Sequence, residues 1–199
     1  LNWEYLIIHH TGAEEKDAEQ VRRYHKSLGW RDIGYNFVIE RNGLVVPGRS
    51  LDQPGAHCLA DGMNKKGIGV ALIGNLEEHP PWQEQVEALI ELMARLMQQH
   101  RIPAQNVLGH REVPGAATAC PGKYFPLAEV REKVRECLVQ TEQRDGAGNG
   151  AEHDNDKKSG PGFWIVQAGV FSTRERAENY AQELRERGID AFVKRDSGK

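Results

Sequence analysis

The stretch from Gln140 to Gly162 limits this chain's fold more than any other feature: it carries five glycines and, as apolar residues, only Ala147 and Ala151. So little apolar surface cannot offset the entropy of ordering the backbone, and residues 140–162 read as a flexible linker. One continuous core through the chain is therefore excluded. The division leaves a large N-terminal domain, residues 1–139, and a short C-terminal module, residues 163–199. Of the 199 residues, 39% are apolar and 28% charged, an ordinary globular balance that excludes wholesale disorder. No apolar run reaches the roughly 20 residues needed to span a bilayer. The net charge of −3 lacks the basic footprint of a dedicated nucleic-acid binder. Three cysteines, Cys58, Cys120 and Cys137, form no CxxC pair, so a single functional thiolate is expected rather than a disulfide framework. The chain opens on Leu1 and a strand-like run follows at once, so an initiator, leader or upstream segment is expected to have been removed or left out, and export is not excluded.

Within residues 1–139, YLIIH at 5–9 is short, apolar and rich in β-branched residues, as in a strand buried on both faces. Residues 17–28 follow as a helix: Asp17 and Gln20 resemble a capping box, Val21, Tyr24, His25 and Leu28 recur at helical spacing, and Gly29 ends it. Residues 34–40 alternate as a strand, Arg41-Asn42-Gly43 is a hairpin turn, and 44–46 return. A further strand is expected at 68–73. After Pro80 and Pro81 a long helix presents Trp82, Val86, Leu89, Ile90, Met93, Leu96 and Met97 on one stripe, a core face. A last helix spans 127–139. Strands alternating with helices around one hairpin predict an α/β domain with a mixed central sheet flanked by helices.

The chemistry-bearing residues are few. Ile7-Ile8-His9-His10-Thr11 ends a strand on two imidazoles, of which alternation lets only one serve a given site. His110 ends another short apolar run, and ten residues on, Cys120 stands before Pro121-Gly122, a loop suited to presenting one thiolate. Two imidazoles and a thiolate make a zinc set with one position open. Spacing alone leaves the bland account standing, a core cysteine and hydrogen-bonded strand-end histidines.

The strings IIHHT, GWRDIGYNF, GAH, IGVALIGN and GHREVPGAATACPG resemble, in order and spacing, the zinc N-acetylmuramoyl-L-alanine amidases related to peptidoglycan recognition proteins and phage lysozyme-amidases, over residues 1–139. The resemblance implies a peptidoglycan-binding cleft over one Zn²⁺ per chain, with His9 rather than His10, His110 and Cys120 as ligands. It places Tyr35 at the family's catalytic tyrosine, and Thr118 where relatives carry Lys or Thr. A zinc ion in such a set lowers the pKa of bound water from about 15.7 to about 7, which suits attack on the carbonyl joining muramic acid to L-alanine. Zinc and the Tyr35 hydroxyl are the expected oxyanion donors. No HExxH pattern supplies a proton shuttle, and Tyr35 is named before any carboxylate. His10, Arg49, His57 and Asn64 are the candidates to touch substrate, with the alternative, for His10 and His57, of hydrogen-bonded groups behind the ligands, and for Arg49 of a surface ion pair in place of a peptide carboxylate. Glu112 is expected to pin the His110 loop, Cys58 and Cys137 to be inert thiols, and His25, His79 and His100 to be structural or exposed.

In residues 163–199 a strand at 164–171, a helix at 173–187 and a strand at 189–194 make one βαβ-like unit. VQAGVFSTRERAENYAQELRERGIDAFV resembles the first half of a SPOR domain, which implies binding to denuded glycan strands. Such a half, of roughly 37 residues, is below the size at which independent folding is assured, so either more chain or a second copy is needed to complete it. The resemblances imply a secreted or cell-wall enzyme of bacterial or prophage origin with peptidoglycan and muropeptides as partners, and a monomer is expected. The competing expectations are a recognition protein that binds muropeptides without cutting them and a regulator of a polymerase. Cys120 favours the enzyme.

Overall fold

A computed structural model describes residues 1–145, 174–186 and 193. Strand β1 (Tyr5–His10) has its four inner residues buried, and so apolar a strand is stable only with neighbours on both edges. β4 (Gly67–Leu72), buried throughout, runs parallel on one side and β5 (Val107–Gly109) parallel on the other. β2 (Phe37–Ile39) adds parallel to β4, and β3 (Val45–Pro47) closes the far edge antiparallel to β2. The order is β3-β2-β4-β1-β5, a mixed sheet as expected.

Alternation along β1 divides the core. Leu6 and Ile8 face Ile68, Val70 and Leu72 together with Leu89, Leu92, Met93 and Leu96 of α3 (Gln83–His100) and Val130 and Val134 of α4 (Leu127–Asp145). Each such side chain contributes about 1.5–3 kcal/mol on burial. Ile7 packs instead with Cys58, Met63 and Val113. Helix α1 (Ala18–Ser27) buries Ala18 and Val21 with Ile33, Val38 and Ile73. Its start follows the capping logic in part: Asp17 Oδ1 accepts from Gln20 N at 2.8 Å, while the Gln20 side chain reaches Lys16 N rather than closing the box on Asp17.

Two elements differ from the sequence expectation for identifiable reasons. β2 is shorter than 34–40 because Asn36 intervenes. Its Oδ1 accepts from Gly69 N at 2.9 Å, a partner that a longer strand's carbonyl would take. α4 runs past residue 139 to Asp145, into the stretch read as linker, because Thr141-Glu142-Gln143-Arg144 contains no helix breaker before Gly146. In the C-terminal module α5 (Arg174–Glu186) falls on the expected helix. The expected strand at 164–171 lies outside the described residues, as does that at 189–194 apart from Val193, which belongs to no regular element. Among the described residues no helix is long and apolar enough to cross a membrane.

Candidate metal and catalytic site

The register of β1 puts three chain segments at one end of the sheet. Ile8 pairs with Gly109 of β5, so His9, the next residue of β1, and His110, the residue just past β5, come side by side where that pairing ends, their rings 4.5 Å apart. The Cys120 loop is brought to them by a backbone clamp. Arg111 N donates to Cys120 O at 2.7 Å, and Arg111 Nη1 donates to Gly122 O at 2.8 Å. Gly122 permits this approach: its φ is +102°, and a Cβ there would lie 2.4 Å from the Leu76 carbonyl carbon and oxygen. The other side of the His110 turn is pinned by Glu112, whose Oε2 accepts from Gly109 N at 2.9 Å and pairs with Arg131. Arg131 Nε donates in turn to Val107 O at 2.8 Å.

One nitrogen from each of His9 and His110 and the Cys120 sulfur all lie within 4.8 Å of one another. His9 Nδ1 is 3.6 Å from Cys120 Sγ. Tetrahedral zinc, with Zn–N near 2.1 Å and Zn–S near 2.3 Å, would set that separation at roughly 3.6 Å. Electrostatics suit the same set. Burial, then His57, His110 and His10, holds His9 well below the usual imidazole value, and burial also lowers His110. Both rings therefore offer lone pairs. Burial pushes the Cys120 thiol up to about 12, against the His10 N–H and Arg111; a bound cation would reverse that cost, because coordination deprotonates a thiol. The donor set fits zinc.

The remaining expected residues separate by what they touch. The Tyr35 ring lies 5.2 Å from His9. Burial, then the Cys120 and Glu15 charges, raises its pKa, so the phenol keeps its proton as a donor. Thr118 Oγ1 accepts from Cys120 N at 3.1 Å and so shapes the ligand loop. His10 does not join the set: the pleat turns it to the opposite face, where Nδ1 accepts from Leu76 N at 3.0 Å. Arg49 is held by Nε to Ile33 O at 3.2 Å and by Nη1 to Pro54 O at 3.4 Å. Asn64 Oδ1 accepts from His57 N at 2.7 Å and Cys58 N at 2.8 Å, so its oxygen is used in holding that loop. His57 lies against His9, Nδ1 to Nε2 at 3.0 Å.

Sequence reasoning passed over Glu15 and Asn36. Glu15 is buried and its Oε2 accepts from Thr11 Oγ1 at 2.7 Å. Asn36, also buried, ties β2 to β4 beside the site. Thr11 directly after the histidine pair was the available signal for Glu15, and nothing in the sequence pattern marked Asn36.

A mixed five-stranded sheet with this cluster where β1 and β5 end is the fold of the peptidoglycan recognition proteins and their amidase relatives. The chain belongs to the N-acetylmuramoyl-L-alanine amidase family, whose profile matches residues 1–123, and a SPOR domain profile matches residues 160–199. The amidase LysC from Clostridium intestinale superposes with a TM-score of 0.62 at 32% identity, over 68% of this chain and 87% of that one. Peptidoglycan-recognition protein SC2 of Drosophila melanogaster is 35% identical over 128 residues, 59% of this chain and 67% of its own. An endolysin of Klebsiella phage KP32 is 35% identical over 121 residues, 58% of this chain and 75% of its own.

Proposed function

We propose that this chain is a zinc-dependent hydrolase that cuts the amide between the lactyl group of N-acetylmuramic acid and L-alanine, acting on the cell wall outside the cytoplasm. The observation that carries the reading is the convergence of His9, His110 and Cys120 donor atoms within 4.8 Å, with the Tyr35 ring 5.2 Å from that of His9. These three residues would hold the metal, and when bound it supplies a Lewis acid and an acidified water. The chain's own residues supply the rest. Tyr35 Oη–H donates to the scissile carbonyl oxygen as negative charge develops there. Thr118 fixes the Cys120 backbone and with it the thiolate. Arg49, with Nε and one Nη tethered to backbone carbonyls, presents a fixed guanidinium to a stem-peptide carboxylate. The SPOR module would hold the enzyme on glycan strands stripped of stem peptides, which raises the local concentration of the amidase domain at the wall.

The test is a digest of purified sacculi, with metal content measured on the same protein. One zinc per chain and release of stem peptides with free L-alanine amines are expected. Full activity in a metal-free preparation overturns the zinc reading. Tight muropeptide binding with no released amine in the zinc-loaded protein replaces the enzyme by a recognition protein.

A further inference from the structure

His57 donates no ligand to the proposed metal, yet its ring is closely confined beside it. Gly69 on β4 lacks the Cβ that would sit 2.5 Å from His57 Cγ and Cδ2, and Gly55 lacks one that would sit 2.6 Å from Cδ2. The ring thus lies in a seat that only glycines leave open. Asn64 Oδ1 fixes its backbone N–H, and Asn36 Oδ1 fixes Gly69 N, which forms the floor of the seat. His57 Nε2 faces the Gly67 carbonyl at 3.0 Å, and Nδ1 faces His9 Nε2 at 3.0 Å.

The direction of these bonds follows from valence. A carbonyl oxygen only accepts, so His57 Nε2 carries the hydrogen. A neutral imidazole has one N–H, so His57 Nδ1 is a lone pair and His9 Nε2 must donate to it. His9 Nδ1 is then bare, and it is the atom 3.6 Å from Cys120 Sγ. We propose that His57 is a positioning residue: seated by Gly55 and Gly69 and polarised by the Gly67 carbonyl, it fixes His9 in the tautomer whose Nδ1 binds the metal. Zinc affinity is thereby set in part by a ring that does not touch the ion. Both nitrogens of His57 are engaged inside the protein, so it has none to offer substrate. The inference rests on the zinc reading above.

Zinc affinity of the full chain, measured by competition with a chromophoric chelator, tests it on wild type, His57→Phe, His57→Asn and Gly69→Ala. Loss of a group that orients a ligand costs about 10–100-fold in metal affinity, and that loss is expected in His57→Phe. Gly69→Ala, which crowds the ring out of its seat, should weaken zinc binding in the same direction. His57→Asn places an acceptor oxygen near the former Nδ1 and should restore affinity to within several-fold of wild type. Nitrogen-resolved NMR of metal-free wild type, independent of any variant's folding, should show His9 protonated on Nε2. His9 protonated on Nδ1, or a folded His57→Phe that binds zinc as tightly as wild type, overturns the role of His57 and leaves the zinc reading intact. Wild type that binds no zinc sinks both.

Discussion

Just beyond β1 the chain carries two clusters of titratable side chains in opposite electrostatic states. His9, His57, His110, Cys120 and Tyr35 lie inward. There burial leads every shift: it lowers the imidazoles, His57 to about 4, and raises the thiol and the phenol. Outward, Glu14 pairs with Arg41 and His79 beside an open pocket of about 550 Å³ lined also by Glu78, Pro80, Pro81 and Trp82. Burial there would raise the Glu14 carboxyl, but hydrogen bonds from His79, Asn75 N and Arg41 win and bring it to about 2. The inward cluster is a store of lone pairs and O–H donors that becomes useful when charge arrives, as a cation or a developing oxyanion. The outward cluster is already charged, half exposed and screened, so it has little left to contribute.

The contrast is broken most severely at Cys120. Cys120→Ser puts a neutral hydroxyl where a soft anion is needed. Hydrolysis should fall by at least roughly 10³-fold, the scale seen when a member of a catalytic set is removed, with zinc lost from the protein. Muropeptide affinity by calorimetry should change little. Retained zinc and retained hydrolysis would remove the thiolate from the site.

Next in size is Tyr35→Phe. If the inward phenol donates to the oxyanion, its loss should lower kcat by about 10²–10³, or about 2.7–4 kcal/mol, with zinc content unchanged. An unaltered kcat would reduce Tyr35 to packing.

Gln85, on α3, belongs to neither cluster and is fully buried but uncharged. Its Nε2 donates at 3.0 Å to both Ile39 O and Ile73 O, at the ends of neighbouring strands. Gln85→Ala leaves those carbonyls without that donor and should cost about 1–3 kcal/mol in denaturant unfolding. A smaller loss would mean that water replaces the amide.

The outward cluster should yield least. Glu14 has a depressed pKa, so its contribution is present above about pH 4.5 and is lost as pH falls toward about 2. His79 is raised, first by its bond to Glu14, so its contribution is complete below 6.5 and is lost as pH rises through its folded value. The pair should therefore help most in the mildly acidic window between, and after allowance for screening Glu14→Gln should cost less than about 1 kcal/mol even there. Urea midpoints at acidic and alkaline pH measure this. A large, pH-independent loss would show that Glu14 acts through packing.

How much of this was legible in the sequence depends on the range over which each feature is specified. β1, α1 and α3 follow from local periodicity and caps. So did the rule that His9 and His10 cannot share a face. The meeting of His9, His110 and Cys120 needs the β1–β5 pairing and the Arg111 clamp, which no window of sequence contains; the motif resemblance pointed to the trio where spacing could not. The late start of β2 depends on Asn36 reaching across to Gly69, and the seat of His57 depends on Gly69 of β4 as well as on Gly55 two residues before it. Glycines in a strand read as weakness until the ring they make room for is known.

The Arg111 clamp has a consequence for how the site is filled and emptied. Because Cys120 is tied through its own carbonyl to the turn that carries His110, and that turn follows directly on β5, paired with β1, the ligand loop is held to the sheet by backbone hydrogen bonds as well as by any ion. Loading should resemble docking into a finished socket, with little heat-capacity change and no coupled folding, and a chelator should strip the protein without melting it. On the proposed zinc reading, the stripped domain would stay folded and without hydrolysis, and would recover activity when the ion is restored.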